Sequence, residues 1–599
     1  MALLGAALPG VAFAEAAGPG AGRCDMSLAS AIGADPLTRI VLVRKFTKGE
    51  RLVLPADKAP QAAAAANDLC MVKLLVGPGN PGPAGAPSTS AGIGIEIWLP
   101  MLDHWNGRIH ALAGGGFHGG VASKPDQVAS PYAAAVADGE GAVSSTTDTG
   151  HDSVPKNYGI PDGSGDFAMN PNGSINEALW HDFSERAIHE QAVKTKLVTT
   201  AFYGRPATRS YWEGSSTGGR QGHKLAQAHP DDFDGIIANL PAMNWAEWTT
   251  GAVYAHVVFQ RDLGGKVPTL AQQDLVSMAA IKACDMVGGE HLGYILDPSK
   301  CRYDPSRDRA VLCQSDGGTN GTADCLRRQQ AIAFNKIWYG ITSDGSVPDP
   351  ARDNGWTTPP RGKHLWYGLS RGNSLYNAFF MKFLGRATGY ASPECPPELG
   401  TDQLALEMQD PSLAQRGFKN AKTALRDGWK GLTYAKLADA FRRGVALDEK
   451  FGRISTANPD LSAFKARGGK LIVWHGTNDE VIPVQGTMQY YDRVVKRMGG
   501  LDKVQDFYRF YVVPGAGHQS PNGTANPNAS PPIFGGSQPY EMLVDWVERG
   551  IAPENVTLRQ PFAGANGRTF PACAYPAKAS YKGGDPKIAA SYRCEMPTK

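Results

Sequence analysis

The chain has 599 residues and a formal net charge of +3 at pH 7, with 42% hydrophobic and 20% charged residues. This length exceeds what one compact core accommodates, so we expect two domains. The composition is that of an ordinary soluble protein, and the small net charge gives no reason to expect binding to nucleic acid or to an anionic membrane.

The first segment predicts an export signal. Residues 2–14 form an apolar stretch that ends in Ala-x-Ala, as a cleavable signal does. The usual basic start is missing, and a disordered Ala/Gly tail is the alternative. We therefore interpret residues 1–24 as a signal peptide or tail and expect a secreted or periplasmic protein. No other segment of the sequence is long and apolar enough to span a membrane.

The nine cysteines favour an oxidising compartment. Pairing between neighbours along the chain suggests four disulfides, although spacing alone does not establish connectivity: Cys24–Cys70, Cys284–Cys301, Cys313–Cys325 and Cys573–Cys594. Cys395 is left over. It is a poor candidate for a cysteine nucleophile, because no elbow or base motif surrounds it, and we interpret it as an unpaired thiol.

A glycine-rich loop is the first motif along the chain that indicates a catalytic role. Residues 108–113 are typical of a short strand, and they lead directly into the loop at 114–120, GGGFHGG. A loop in this place can offer a backbone N–H to a developing oxyanion, and we choose Gly115 or Gly116 as the donor. A flexible loop without function is the alternative, which the preceding strand disfavours.

Residues 214–218, GSSTG, match the G-x-S-x-G pattern of a nucleophile elbow. The pattern alone is weak in a chain with 71 glycines, where a Gly/Ser loop is the alternative. Its context favours the elbow, because a short strand precedes it, a helix ending near Pro230 follows, and residues 233–238 predict a buried strand. Ser216 is then the nucleophile, and the N–H of Thr217 is an oxyanion donor at the helix N-terminus.

Two later strand ends supply the partners that a serine nucleophile needs. Asp479 follows the glycine-bounded apolar run at 469–476, and His518 follows the aromatic and β-branched run at 507–513. The order Ser, Asp, His is that of α/β-hydrolases, in which the histidine is the base and the aspartate orients it. Glu480 is a lesser candidate for the acid. His475 is a lesser candidate for the base and is better interpreted as a pocket-lining or strand-end residue.

Together these motifs resemble the tannase and feruloyl esterase family, which includes the mono(hydroxyethyl) terephthalate hydrolases. The resemblance rests on WNGR at 105–108, YWEGSSTGGRQG at 211–222, PDDFDGIIA at 230–238, HGTND at 475–479 and Gly517-His518. It covers nearly all of the chain after residue 24. It implies an α/β-hydrolase core that carries a large inserted lid.

Two departures from the family pattern stand out. Ser215 and Gln519 occupy positions where the family has two cysteines that join the catalytic loops by a disulfide. We expect the triad to work without it, with a looser histidine loop. In the stretch that matches the family's calcium-binding loop, Gly288 and Leu292 replace aspartates. Since Ca²⁺ takes six to eight oxygen ligands, we expect no bound metal or only weak Ca²⁺ binding, and no cofactor.

The expected organisation is a catalytic α/β domain from 25–241 and 451–599, interrupted by a lid at 242–450. Aromatic lid residues suit flat aromatic acids, and an arginine could pair with a substrate carboxylate. Most such residues belong to lid cores or surfaces, which is the alternative for each. The residues that we assign to substrate binding are His475, Arg371, Trp366 and, by the resemblance, Ile482, where relatives place an aromatic pocket residue.

The sequence thus predicts a serine esterase that acts through an acyl-enzyme on a small-molecule ester. By the resemblance, the acyl group is a hydroxylated aromatic acid, such as gallate or ferulate, or a terephthalate monoester. Esters of other acids, a serine peptidase, and a non-catalytic binding protein on the same fold are the alternatives. The intact triad disfavours the last of these. The sequence does not indicate the oligomeric state.

Overall fold

A computed structural model describes residues 22–32, 35–58, 61–152, 164–375, 396–415, 417–420, 427–518, 521–561 and 567–597. Nearly all of the expected signal segment lies outside these residues, and so do Cys395 and Gln519. The four expected disulfides are present: Cys24–Cys70, Cys284–Cys301, Cys313–Cys325 and Cys573–Cys594.

The first part of the chain alternates strands with helices after an antiparallel start. Its strands are short and mostly buried, as their runs of Val, Ile and aromatic residues predict. The elements are α1 (Leu28–Ile32), β1 (Thr38–Phe46), β2 (Leu69–Val76), β3 (Ile93–Pro100), β4 (Arg108–Leu112), α2 (Pro131–Gly139), β5 (Val143–Thr147), α3 (Glu177–His181), α4 (Ala187–Tyr203), β6 (Arg209–Ser215), α5 (Thr217–Ala228) and β7 (Gly235–Asn239).

A long segment follows that adds no strand to the main sheet in its described part. Its elements are α6 (Trp245–Asp262), α7 (Leu270–Cys284), β8 (Met286–Val287), β9 (Glu290–His291), α8 (Arg328–Tyr339), α9 (Glu398–Met408), α10 (Tyr434–Ala446) and α11 (Ser462–Ala466). One hydrophobic cluster, which includes Val276, Phe334 and Trp338, consists of residues of this segment alone.

The chain then returns to the sheet and ends in two small antiparallel hairpins. The elements are β10 (Lys470–Gly476), α12 (Val484–Arg497), α13 (Leu501–Gln505), β11 (Tyr508–Val513), α14 (Gln538–Arg549), β12 (Val556–Arg559), β13 (Thr569–Ala572), β14 (Lys578–Tyr581) and β15 (Tyr592–Glu595). A π-helical turn (Asp182–Arg186) and 3₁₀ turns at Gly165–Ala168, Pro298–Lys300, Gln314–Asp316, Pro411–Leu413, Gly428–Gly431 and Ala589–Ser591 complete the described elements.

The main sheet has nine strands in the order β1-β2-β3-β5-β4-β6-β7-β10-β11. In this order, the pairs β1-β2, β2-β3 and β3-β5 are antiparallel. The remaining pairs, from β5-β4 to β10-β11, are parallel. The carboxyl ends of the parallel strands therefore meet at one edge of the sheet, where open α/β sheets bind their ligands. The glycine-rich loop, Ser216, Asp479 and His518 each follow one of these strands.

The α/β class and the interrupted sheet agree with the sequence analysis. All nine strands come from the two segments that we assigned to the catalytic domain. The inserted segment also shares a large cluster with that domain, in which Phe117 and Phe183 pack near Trp245 of α6. The boundaries at 242 and 450 stay a prediction. Among the described residues, no helix combines the length and the apolar character needed to cross a bilayer.

Candidate active site

The elbow explains why its motif needs two glycines. β6 ends at Ser215, and Ser216 has φ 60° and ψ −123° before α5 begins at Thr217. A positive φ is strained for a residue with a side chain. A Cβ at Gly214 would lie 2.5 Å from the carbonyl carbon of Gly218, and one at Gly218 would lie 2.5 Å from the Cβ of Ala113. Only glycine fits at both positions.

The backbone of β7 and its following loop hold the serine in this conformation. The Ser216 N–H donates to the Asn239 carbonyl over 3.0 Å, and the Ala242 N–H donates to the Ser216 carbonyl over 2.9 Å. These bonds fix the nucleophile's peptide on both sides. Ser216 is half-buried, while the neighbouring Ser215 is exposed.

Ser216, His518 and Asp479 form one chain of hydrogen-bonding distances. Nε2 of His518 lies 2.9 Å from Oγ of Ser216, and its Nδ1 lies 2.8 Å from Oδ2 of Asp479. The serine and the histidine are 302 residues apart in the sequence, and the sheet brings them together. This is the arrangement in which a histidine can take a serine proton while an acid orients the ring.

The Asp479 carboxylate is saturated with donors. Its Oδ1 accepts from the backbone N–H groups of Val481 at 2.9 Å and Ile482 at 2.7 Å, and its Oδ2 faces His518 and His475. Burial by itself would raise the pKa of Asp479, but the charge of His518 and the hydrogen bonds of both histidines hold that pKa below its usual range. The carboxylate is therefore ionised and can stabilise a neighbouring imidazolium.

The glycine-rich loop meets the start of α5 directly after the serine. The Thr217 hydroxyl donates to the Gly116 carbonyl over 2.7 Å, which ties the glycine-rich loop to the start of α5. Within the described part of the chain, no group accepts from the backbone amides of Gly115, Gly116 or Thr217. The helix N-terminus adds a partial positive charge at the same place. Their assignment as oxyanion donors stays a prediction.

Two buried histidines, which we did not predict from the sequence, support this loop. Nε2 of His118 lies 2.8 Å from the Thr147 carbonyl, and Nε2 of His151 lies 3.2 Å from the Phe117 carbonyl. Burial lowers the pKa of His118 to about 4 and that of His151 to about 3. Both rings are therefore neutral at pH 7, and their hydrogen bonds hold the loop in place. Their spacing of 33 residues gives no sequence signal for this pairing.

Glu480 and His475 do not take the roles of acid and base in this geometry. Oε2 of Glu480 accepts from the backbone N–H of His518 over 3.0 Å, so it holds the histidine loop while Asp479 meets the ring. Of the two interpretations of His475, the strand-end position agrees with its place at the end of β10, while its completely buried side chain disagrees with a pocket-lining, substrate-binding role. Its Nε2 lies 3.0 Å from Oδ2 of Asp479.

Arg371 differs from the expectation that it meets a substrate carboxylate. Its guanidinium donates to the carbonyls of Tyr303 and Asn354 over 3.0 and 2.8 Å, and it stacks on Trp338 with 5.4 Å to the ring centroid. The side chain is buried within the inserted segment. Its donors thus hold lid backbone together, which the sequence could not show because the carbonyl partners carry no sequence signature.

Trp366 and Ile482 lie in the cluster between the inserted segment and the catalytic part. Both are buried, at 6% and 3% exposure, and they share this cluster with Trp245 and Trp248. The Ile482 N–H also bonds to Asp479, which places this residue next to the acid. Their assignment to substrate binding stays a prediction.

The Cys284–Cys301 loop does not fit a calcium ion. Oδ1 of Asp285 lies 2.5 Å from Nδ1 of His291, and its Oδ2 accepts from the Gly293 N–H. Asp297 accepts from Ser299 and lies 3.1 Å from the ammonium of Lys578. Donors and a cation already occupy the carboxylate oxygens that Ca²⁺ would need.

One further group of metal-binding side chains occurs among the described residues. The ligand atoms of His189, His229 and Asp232 lie within 4.8 Å of one another. The two imidazoles are stacked, with centroids 3.9 Å apart and planes at 15°. A metal lies near the plane of each imidazole that binds it, because the nitrogen lone pair is in that plane. Two stacked rings therefore cannot share one ion without rotating.

The sheet, the elbow and the three aligned side chains define a serine hydrolase of the α/β-hydrolase class. Comparison with known proteins narrows this class. The family model "Tannase and feruloyl esterase" matches residues 84–595. A probable feruloyl esterase from Arthroderma benhamiae is 32% identical over 84% of this chain and 82% of its own length.

Two solved structures share the fold. Feruloyl esterase B from Aspergillus oryzae has a TM-score of 0.69 at 23% identity, covering 95% of this chain and 100% of its own. Tannin acyl hydrolase from Aspergillus niger has a TM-score of 0.66 at 22% identity, covering 96% and 95%. The chain belongs to the tannase and feruloyl esterase family and is a carboxylic ester hydrolase.

Proposed function

We propose that this esterase hydrolyses esters of hydroxylated aromatic acids, of the hydroxycinnamic or gallic type, through a covalent acyl-enzyme. The observation that carries the mechanism is the unbroken chain of contacts from Ser216 through His518 to Asp479, at 2.9 and 2.8 Å. The acyl preference is supported by the names of the relatives and by the aromatic cluster beside the site.

In the first step, Oγ of Ser216 attacks the ester carbonyl and Nε2 of His518 takes its proton. The Asp479 carboxylate stabilises the imidazolium that forms. The N–H groups of Thr217 and of Gly115 or Gly116 bind the oxyanion of the tetrahedral intermediate. Collapse of this intermediate expels the alcohol, which leaves with the proton from His518, and the acyl group stays on Ser216.

In the second step, His518 takes a proton from water, and the resulting hydroxide attacks the acyl-enzyme. The same N–H groups bind the second oxyanion. Release of the acid restores the Ser216 hydroxyl with the proton from His518. Neither step calls on a metal or a cofactor, and we propose that the protein needs none.

A hydrolysis panel tests the acyl preference. It compares gallate, ferulate, terephthalate monoester and short aliphatic p-nitrophenyl esters by kcat/KM, with Ser216→Ala as the blank. The proposal expects the gallate or ferulate ester to be the best substrate. Preference for aliphatic esters would indicate an esterase that acts on other acids. Preference for the terephthalate monoester would indicate that the acyl group is of the terephthalic type and not a hydroxylated aromatic acid.

A fluorophosphonate probe tests the assignment of the nucleophile. We expect covalent labelling of Ser216, located by peptide mass spectrometry, and none in Ser216→Ala. An unlabelled wild-type protein that hydrolyses none of the panel esters would indicate a binding protein on this fold.

We also propose that the protein works outside the cytoplasm, in the periplasm or the medium. Four disulfides support this location, because thiols stay reduced in the cytosol of most organisms. Fractionation of the native source followed by immunodetection tests it. Recovery in the cytosolic fraction with free thiols would contradict it.

A further inference from the structure

We propose that His475 is a positioning residue that locks the Asp479 carboxylate in the orientation from which it holds His518. This inference rests on the proposed serine mechanism and adds a fourth side chain to it. Its side chain is fully buried, and its hydrogen bonds are to Asp479, Ile482 and Thr487, so we argue that it acts through Asp479.

The bonds of His475 fix which nitrogen carries its proton. Nε2 lies 3.0 Å from Oδ2 of Asp479 and 3.1 Å from the Ile482 carbonyl. Both of these atoms are acceptors, so Nε2 must be the protonated nitrogen. Nδ1 lies 2.9 Å from the Thr487 hydroxyl at the start of α12, which can donate to it. The ring is thus held on both sides.

The Asp479 carboxylate has no freedom left in this arrangement. The amides of Val481 and Ile482 take Oδ1, and the two imidazoles share Oδ2. A carboxylate offers about four lone-pair sites, and all are used here. Without His475, the bond from His518 becomes the single side-chain bond to Oδ2, and the Ile482 carbonyl loses its partner.

Burial makes these bonds decisive. His475 and Asp479 are 0% and 3% exposed, and the Thr487 side chain is buried with them. Water cannot replace a lost donor at a site without access to solvent, and an unpaired buried charge is costly. The carboxylate would therefore turn toward whatever donor remains, and the His518 ring would follow it.

The same geometry predicts a change in the pH profile. The titratable groups that face this site are Asp479, His518, His475 and Glu480, the last through the His518 backbone. Removing the His475 donor leaves the Asp479 anion less stabilised, so it attracts the proton of His518 more strongly. The acid limb of kcat/KM, which reports formation of neutral His518, then moves to higher pH.

The test compares His475→Phe, which keeps a ring but no donor, with His475→Gln, whose amide nitrogen can replace Nε2. We expect His475→Phe to lower kcat by roughly 10- to 100-fold, because small misplacements of catalytic groups cost that much. KM should change little, and the acid limb should move up by about half a pH unit or more. His475→Gln should recover most of kcat and return the limb toward its wild-type position.

His256→Phe is the matched control, since it removes another buried histidine that packs on Phe259 and Trp429 in the inserted segment. Its kcat and pH profile should match the wild type. Should His475→Phe fail to fold, as judged by melting temperature, Thr487→Val carries the test. It leaves the ring in place but removes its anchor, and we expect a smaller loss of kcat in the same direction.

A His475→Phe enzyme with wild-type kcat and an unmoved acid limb would overturn the positioning role. So would a loss in His475→Phe that His475→Gln fails to recover. In both cases, labelling of Ser216 and hydrolysis by the wild type would still stand. Failure of the serine mechanism shows separately, as a wild type that the fluorophosphonate does not label.

Discussion

The catalytic edge of the sheet and the Cys284–Cys301 loop each depart from the family pattern, with different consequences. At the edge, Ser215 stands where the family has a cysteine, yet Ser216, His518 and Asp479 lie at 2.8–2.9 Å along one chain of contacts. In the loop, the aspartates at 288 and 292 are replaced, and hydrogen-bond donors occupy the remaining carboxylates.

The difference follows from what each region has to do. Proton transfer depends on particular atoms at particular distances, so the edge retains its three side chains. A loop that only has to stay folded can exchange one set of interactions for another of similar strength. Glu480 illustrates this at the edge itself, because its bond to the His518 N–H restrains the loop without a disulfide.

The largest effect should come from the nucleophile. Ser216→Ala removes the attacking oxygen, and we expect kcat to fall by about 10⁴-fold or more, since loss of a triad member leaves only residual catalysis. Melting temperature should stay near that of the wild type. Steady-state hydrolysis of the best panel ester measures this, and a loss of less than tenfold would mean that another group is the nucleophile.

The next effect concerns the restraint on the histidine loop. Glu480→Ala removes the acceptor for the His518 N–H, and we expect kcat to fall by roughly 3- to 10-fold, because a typical hydrogen bond contributes a net of about 0.5–1.5 kcal/mol. Glu541→Ala, on the exposed face of α14, is the control. Unchanged kcat in Glu480→Ala would show that other contacts hold the loop.

For the Cys284–Cys301 loop, we expect a substitution to change stability and not activity. Asp285→Asn weakens the contacts to His291 and Gly293, and it should lower the melting temperature by about 2–4 °C, as measured by differential scanning fluorimetry. The kcat of the folded protein should match the wild type. A tenfold lower kcat would show that this loop influences the catalytic edge.

The smallest effect should come from metal removal. Because the Asp285 and Asp297 carboxylates already accept from protein donors, EDTA should leave the melting temperature within about 1 °C, and added CaCl₂ should not raise it. A stabilisation by calcium that EDTA reverses would contradict this and would mean that the loop rearranges around the ion.

The sequence by itself determined the class of the protein and the three residues of the proposed triad. Each of these signals is local. An apolar strand followed by a glycine loop, a G-x-S-x-G turn, or an aspartate after a strand end can be recognised within about ten residues. The disulfide pairs were readable for the same reason, since three of the four join cysteines 12 to 21 residues apart.

Only the tertiary structure decided what surrounds that triad. His475 bonds to Thr487 across a turn, Arg371 bonds to carbonyls 68 and 17 residues away, and His151 supports a loop 34 residues before it. Three of these four partners are backbone carbonyls, which accept such bonds whatever their residue type and therefore leave no trace in the sequence. The packing of the folded chain determines which partner each buried side chain bonds to, because that partner must lie within about 3 Å.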